Sequence, residues 1–536
     1  MAPSFRVRVR PEAWRGCSTR LAPASPRPTL HYTRVVTTAS PEPHPKRWLV
    51  LLAMTGSLAM IFLDVTVVGV ALPRMRGSLG LSESQAVWAM NAYTLTLACL
   101  VALGGRVADR FGRVRCFTTG VGLFALASLA CGAATGPEMF LAGRVLQGVA
   151  AALMQPSSSS IVIDSFAPGE RGKAMGVYIG IPMVFLALGP LVGGVLTEWV
   201  SWRANFLVNL PVAAAAIALV SATRPRERRD PTDRVDLVGA AWLVVSLASL
   251  VWGLQEIGRA GWRSTPPLVG VGLGGVALAA FLRTELRRER PLLRLSLFRD
   301  RGLLVAAAVL FCLQFAMAGQ VLFGSMYLQG ALGFAPAKAG AALLPMLAPV
   351  VVTVHVAGRL YDRVGPRGPV LLGTALAATG LAIEALAMPG LAYLPLAAGM
   401  LGLGLGLGFA MGPTNTDALS RVPSESRPQV SGVLGTVRQV GGSVGIAAFA
   451  AATGATQMAL LGERSGDANF ALAASGDLAA LADIANDSAA HAEAISILAR
   501  STAAGYAVAA VAVFGAFLFA LAGLTRKTPA DAAQRG

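Results

Sequence analysis

Fourteen apolar runs, each roughly 20 residues long, constrain this 536-residue chain more than any other feature. They lie at about 48–72, 85–104, 116–135, 138–160, 173–196, 203–222, 236–255, 267–283, 302–328, 337–357, 368–388, 391–412, 428–453 and 501–524. Twenty residues of helix cover about 30 Å, the thickness of a bilayer's hydrocarbon core. In lipid every backbone amide must be satisfied internally, which a helix does within one segment. The expected fold is therefore all-α and polytopic. The composition agrees: 54% of residues are hydrophobic and 14% charged.

A net charge of +17 would point to nucleic acid in a soluble protein. Its distribution points elsewhere. With the N-terminus inside, the tail and inner loops hold 35 of the 45 Lys and Arg, the outer loops hold 8, and Arg144 and Arg438 fall within spans. That asymmetry predicts that both termini are cytoplasmic. Residues 1–46 are rich in Arg, Pro and Ser, and read as a disordered cytoplasmic tail or an over-long gene start. The five cysteines show no CxxC spacing, and the four histidines no helical pairing, so neither a disulfide framework nor a metal site is expected.

One loop recurs. Gly104-Gly-Arg-Val-Ala-Asp-Arg-Phe-Gly-Arg-Val-Arg115 joins the second and third runs. Gly105, Asp109, Arg110 and Gly112 reappear 253 positions on as Gly358, Asp362, Arg363 and Gly365. The two glycines permit a sharp turn and close approach. Asp109 is placed to accept from helix-end amides and from Arg113, a latch between neighbouring helices. Repetition in both halves implies two related bundles. The first copy resembles the signature loop of the major facilitator superfamily, and the second its weaker echo. Val114 and Pro366 stand where a basic residue is often found, which reads as a minor departure.

Further stretches resemble that superfamily's fourteen-helix drug/proton antiporter branch, in the expected order. They are Leu63-Asp-Val-Thr-Val-Val-Gly-Val-Ala-Leu-Pro73, Arg144-Val-Leu-Gln-Gly148, Leu188-Gly-Pro-Leu-Val-Gly-Gly194 and Trp202-Arg-Ala-Asn-Phe-Leu-Val-Asn-Leu-Pro211. Gly69 replaces a residue that is usually Asn. The resemblance implies an N-terminal six-helix bundle over 47–222 and a C-terminal one over 302–526. Between them, 223–301 carries charged linkers and two extra helices. An outer loop covers 454–500 and a cytoplasmic tail 527–536.

Asp64 and Arg144 are the expected proton-coupling pair. A charge inside a span must be paired, neutralised or wetted. Asp64 lies 16 residues, about 24 Å, beyond Trp48, and Arg144 lies 6 residues, about 9 Å, below Glu138. Both then sit at similar depth in a roughly 30 Å core. Burial favours a neutral acid and a guanidinium favours a carboxylate, so a balanced Asp64 can load and release a proton. A static strut is the alternative.

Gly189, Pro190, Gly193 and Gly194 read as a hinge, a seal or tight packing, with Gly176 and Gly180 extending the small-residue face. By the resemblance, Arg438 lies on a pocket-lining helix. Asn91, Tyr93, Gln314, Gln320 and Asn209 are placed either to line a substrate cavity or to bond between helices. Glu384 falls on a helix that the resemblance makes peripheral, and His355 near a span end.

No nucleophile constellation, metal cluster or phosphate loop is present in the sequence, and the Gly402–Gly408 ladder suits helix packing. A membrane receptor or enzyme is thereby disfavoured. The chain reads as a proton-driven exporter of small lipophilic compounds, acting as a monomer in lipid with no cofactor and no nucleic acid. A dedicated metabolite exporter or importer is the runner-up.

Overall fold

A computed structural model describes residues 43–167, 170–227, 229, 236–261, 263–288, 299–422 and 427–524. The first 42 residues, parts of both charged linkers and the C-terminal tail, with Arg526 and Lys527, lie outside the described residues. So does Cys17.

Apolar length sets the elements, and local chemistry sets their ends. In the N-terminal half α1 spans Arg47–Leu79, α2 Glu83–Phe111, α3 Arg113–Ala133, α4 Pro137–Ser165, α5 Arg171–Trp199 and α6 Ala204–Thr223. The extra pair is α7 (Leu237–Ala260) and α8 (Thr265–Arg287). The C-terminal half holds α9 (Arg301–Gly330), α10 (Pro336–Val364), α11 (Arg367–Gly390), α12 (Tyr393–Ser420) and α13 (Arg427–Leu461). Two short helices, α14 (Ala468–Ala474) and α15 (Leu478–Asp483), precede the last long one, α16 (Ser488–Gly523). Thirteen of the long helices are apolar enough to cross a membrane. The fourteenth, α4, has the length but carries Arg144, Gln147, Gln155 and a run of serines.

Polar caps close the exposed turns. Ser82 and Gln85 form a reciprocal capping box on α2. Asp467, Asp477 and Asp487 each accept from the first amides of α14, α15 and α16. The expected long loop 454–500 is consequently shorter. Both flanking helices extend into it, because alanine-rich sequence favours helix and each start has an aspartate cap.

Small residues decide which helices touch. Within the glycine ladder, Gly402 and Gly406 admit α11 while Gly404 and Gly408 admit α10. Alternate glycines thus serve two faces of α12. In the N-terminal half α1 packs on α5, and α2 and α3 on α4; α9, α11 and α13 surround α16 in the other half. The halves meet through α2 against α13 and α5 against α10. Of the extra pair, α7 packs on α13 and α2, with Gly258 against the Ala450 carbonyl, and α8 packs on α7.

Candidate functional site

Asp64 and Arg144 meet. Asp64 on α1 and Arg144 on α4 are each 1% exposed, and the Arg144 Nη1 donates to Asp64 Oδ2. Four further helical positions complete the cluster. The Arg144 Nε donates to the Ala89 carbonyl of α2 at 2.8 Å, and Nη1 also donates to Gln147 Oε1 at 2.7 Å. Gln147 Nε2 donates to Asp64 Oδ1 at 3.1 Å and to Ser128 Oγ of α3 at 2.9 Å. Asn209 of α6 donates to the same Ser128 at 3.2 Å. The Arg144 guanidinium lies 4.6 Å from the Tyr93 ring centroid and 5.9 Å from that of Phe206. Two aromatic faces and three acceptors therefore hold this cation. Gln147 is the partner that sequence reasoning left unassigned, although it stands one helical turn after Arg144.

A narrow cavity of about 20 Å³ lies beside this cluster, between the halves. Val65 of α1, Met90 and Thr94 of α2, Gln314 and Met317 of α9, and Gln439, Gly442 and Ile446 of α13 line it. Its lining is apolar with a few polar groups, the usual make-up of a small-molecule site. Asp64 sits one residue behind its wall, at Val65.

Of the expected cavity residues, Gln314 is on the wall. Tyr93 lies beneath Arg144, with its hydroxyl donating to the Ile61 carbonyl at 3.4 Å. Asn91 is fully buried and accepts from Thr94 at 3.5 Å. Gln320 is fully buried and donates to Glu384 at 2.8 Å. Tyr93 and Gln320 belong to bundle interiors, because their helix faces turn toward their own half. Arg438 is half-buried, one turn before Gly442 on α13.

The glycine-proline stretch touches both halves. A Cβ on Gly189 or Gly193 would collide with Thr66 or Val67 of α1. One on Gly194 would strike the Pro336 carbonyl of α10, and one on Gly340 the Pro190 carbonyl of α5. Glu198 also accepts from the Ala337 amide at 2.9 Å. At the other end Gly176, Gly180 and Gly358 meet nothing within 4 Å. Gly176 and Gly180 therefore do not extend the packed face. α5 and α10 join at one end and part toward the end bearing the arginine-rich loops.

Four residues, Asp109, Arg113, Asp164 and Glu227, meet at the first loop. The Arg113 Nε and Nη2 donate to Asp109 Oδ1 at 3.0 and 2.8 Å, and Nη1 donates to Asp164 Oδ2 of α4 at 2.7 Å. The helix-end amides expected to bind Asp109 instead donate to Glu227, from Val114 at 3.0 Å and Arg115 at 3.2 Å. Gly112 has φ +113°, and a Cβ there would lie 2.7 Å from the Glu227 carboxylate. Gly105 meets only Pro156 at an ordinary 3.6 Å; its neighbour Gly104, against the Ala152 carbonyl, makes the close approach. Arg110 is exposed and lies over Phe111.

The second loop differs. Gly365 keeps its positive φ of +75°, but Asp362 and Arg363 are exposed. Pro366 stands at the position of Arg113, so the departure is larger than a lost basic residue. Asp417, 253 positions after Asp164, is instead bound by Arg421 at 2.8 Å, with Asp300 at 3.6 Å from the same arginine. Asp109→Asn is expected to lower transport severalfold while leaving the yield of folded protein unchanged, because Asp164 still holds Arg113. Comparing transport rate with the size-exclusion profile checks this; parallel loss of both would make the loop purely structural.

The Major Facilitator Superfamily model matches residues 54–446. The chain is 36% identical over 437 residues to a puromycin resistance protein of Streptomyces alboniger, covering 80% of this chain and 86% of that protein. It is 34% identical over 406 residues to a tetracenomycin C resistance and export protein of Streptomyces glaucescens, covering 75% and 74% respectively. Among solved structures it resembles a bacterial homolog of the human lysosomal transporter Spinster, with a TM-score of 0.61 at 20% identity, covering 91% of this chain and 100% of that one.

Proposed function

Since this chain belongs to the Major Facilitator Superfamily, we propose that it is a proton-coupled secondary transporter that exports lipophilic drugs or antibiotics across the cell membrane. It is a polytopic membrane transporter and not an enzyme. The observation that carries the coupling is the buried Asp64–Arg144 pair one residue behind the cavity wall. The relatives named for puromycin resistance and tetracenomycin C export support the substrate class.

In this reading the arginine-rich end faces the cytoplasm, both termini are cytoplasmic, and the chain acts as a monomer in lipid. α5 and α10 are then sealed on the outside and parted inside. Gly194 and Gly340 form the seal, the Asp109–Arg113–Asp164 latch steadies the inner ends, and Gln314 and Arg438 serve the substrate path. Drug enters the cavity from the cytoplasm, and a proton arriving from outside loads Asp64 to reset the cycle.

Expression in a drug-sensitive strain is expected to lower susceptibility to puromycin and to other apolar antibiotics, and a collapsed pH gradient should remove the protection. Protection against a single compound would instead mark a dedicated exporter. In the same cells, a cysteine at Ala485 should react with a membrane-impermeant maleimide from outside. Reaction only after permeabilisation would invert the assigned topology.

A further inference from the structure

Glu384 is a fully buried carboxyl on α11 with no cation in contact among the described residues. Its Oε2 accepts from Gln320 Nε2 at 2.8 Å, while its Oε1 has no partner. Gln320 Oε1 and the Tyr506 hydroxyl of α16 are likewise without a partner. A Cβ on Gly324 would lie 2.8 Å from that hydroxyl and 3.2 Å from Gln320 Nε2, so both groups converge on one spot. Gln320 opens a five-residue π-turn, Gln320–Gly324, within α9. Such turns interrupt the helix ladder and recur at functional sites. On α12, Gly399 lacks the Cβ that would overlap the Glu384 side chain.

The internal repeat gives this cluster a counterpart. The 253-residue offset that relates the two loops maps Cys131 onto Glu384. Cys131 faces the Asp64 cluster, with its Sγ 3.8 Å from Gln147 Oε1. Each half thus holds a buried carboxyl among its first, third and sixth helices. In the first half it is Asp64, beside Ser128 and Asn209; in the second it is Glu384, beside Gln320 and Tyr506. The halves differ in that the carboxyl stands on the first helix of one and the third of the other, and in that Arg144 pairs with Asp64 whereas no guanidinium among the described residues contacts Glu384.

The groups facing Glu384 are Tyr506 from α16 and, behind it, Tyr327 from α9. Tyr393 of α12 points to the Ala342 carbonyl. Arg500 of α16 and Lys338 of α10 are exposed nearer the sealed end. An ionised carboxyl among these neutral neighbours is too costly in the membrane interior, so Glu384 holds a proton in this conformation. Release requires a state in which water or a cation reaches it.

We propose that Glu384, bound by Gln320 and facing Tyr506, is a second proton-binding site, giving each half of the transporter one titrating carboxyl. The proposal rests on the proton-coupled reading above. Proton binding converts the carboxylate to the acid with no other bond made or broken.

Infrared difference spectra of the purified full chain in lipid nanodiscs, between acidic and alkaline buffer, test it without any drug. Two high-frequency carboxylic-acid components should titrate in the unmodified chain. Glu384→Gln should remove one and Asp64→Asn the other. Glu384→Asp should restore a shifted component. Gln320→Leu should move the Glu384 component to higher frequency, because its hydrogen bond is lost, and this variant serves if Glu384→Gln fails to fold. A Glu384→Gln spectrum identical to the unmodified one, or a Gln320→Leu spectrum with no displaced component, overturns the second site while leaving Asp64 coupling intact. No titrating component in the unmodified chain overturns both.

Discussion

Asp64→Asn is expected to abolish uphill export driven by a pH gradient while downhill exchange of bound drug continues. A gradient of one pH unit supplies about 1.4 kcal/mol per proton, enough for about a tenfold drug ratio, and only a group that titrates between the two sides can use it. An amide mimics the protonated acid, so the cycle proceeds but carries no proton. The site tolerates this neutral form. Arg144 retains the Ala89 carbonyl at 2.8 Å, the Gln147 amide oxygen at 2.7 Å and the Tyr93 and Phe206 rings. The proposed protonation of Asp64 would leave Arg144 these same contacts.

Arg144→Ala acts in the opposite sense. It keeps the carboxyl and removes its cation, leaving Gln147 and Asn209 as donors, and the pH profile of transport should differ from the parent's. Either substitution removes one member of a buried pair, a loss of about 3–5 kcal/mol where the remaining charge is uncompensated, so both variants should be less stable than the parent. Drug flux in proteoliposomes with an imposed pH gradient measures both effects. Full uphill transport by Asp64→Asn would transfer the coupling role away from this residue.

Gly340→Val should hold the α5–α10 seam open. Its Cβ would overlap the Pro190 carbonyl, and neither backbone can yield without parting the helices. Overpacking of this kind costs about 1–3 kcal/mol. Charged to one conformation alone, that moves the balance between states by roughly 5- to 150-fold. A cysteine placed at Gln314, on the cavity wall, reports the change. In the parent it should react with an impermeant maleimide added to inside-out vesicles, and in Gly340→Val with reagent added to intact cells. Export should fall severalfold with little change in the amount of folded protein. Unchanged labelling from both sides with normal export would show that this contact is not a seal.

The two results separate the parts of the cycle. Loss of coupling without loss of exchange belongs to Asp64. Loss of exchange without loss of proton binding belongs to the seam. A transporter needs both, because a titrating group does work only if the path around it opens to one side at a time.

The fourteen runs, the repeated loop and the matching depths of Asp64 and Arg144 were legible in the sequence, because apolar length, internal similarity and helical rise are properties along one dimension. Which faces meet was not. Gln147 and Asn209 reach Asp64 from two different helices, and Ser128 joins them from a third. Asp164 and Glu227 join the first loop from 51 and 113 positions away. Gly104 rather than Gly105 takes the close approach, since one residue turns a helix position by about 100°. Tyr93 and Gln320 carried the polar groups expected of a cavity, yet rotation of their helices turned them into the bundle interiors. Glu384 reads from its position in the chain as a residue of an outlying helix. Only packing put it inside, because the glycines of α12 let α11 approach closely enough to bury a carboxyl against α9.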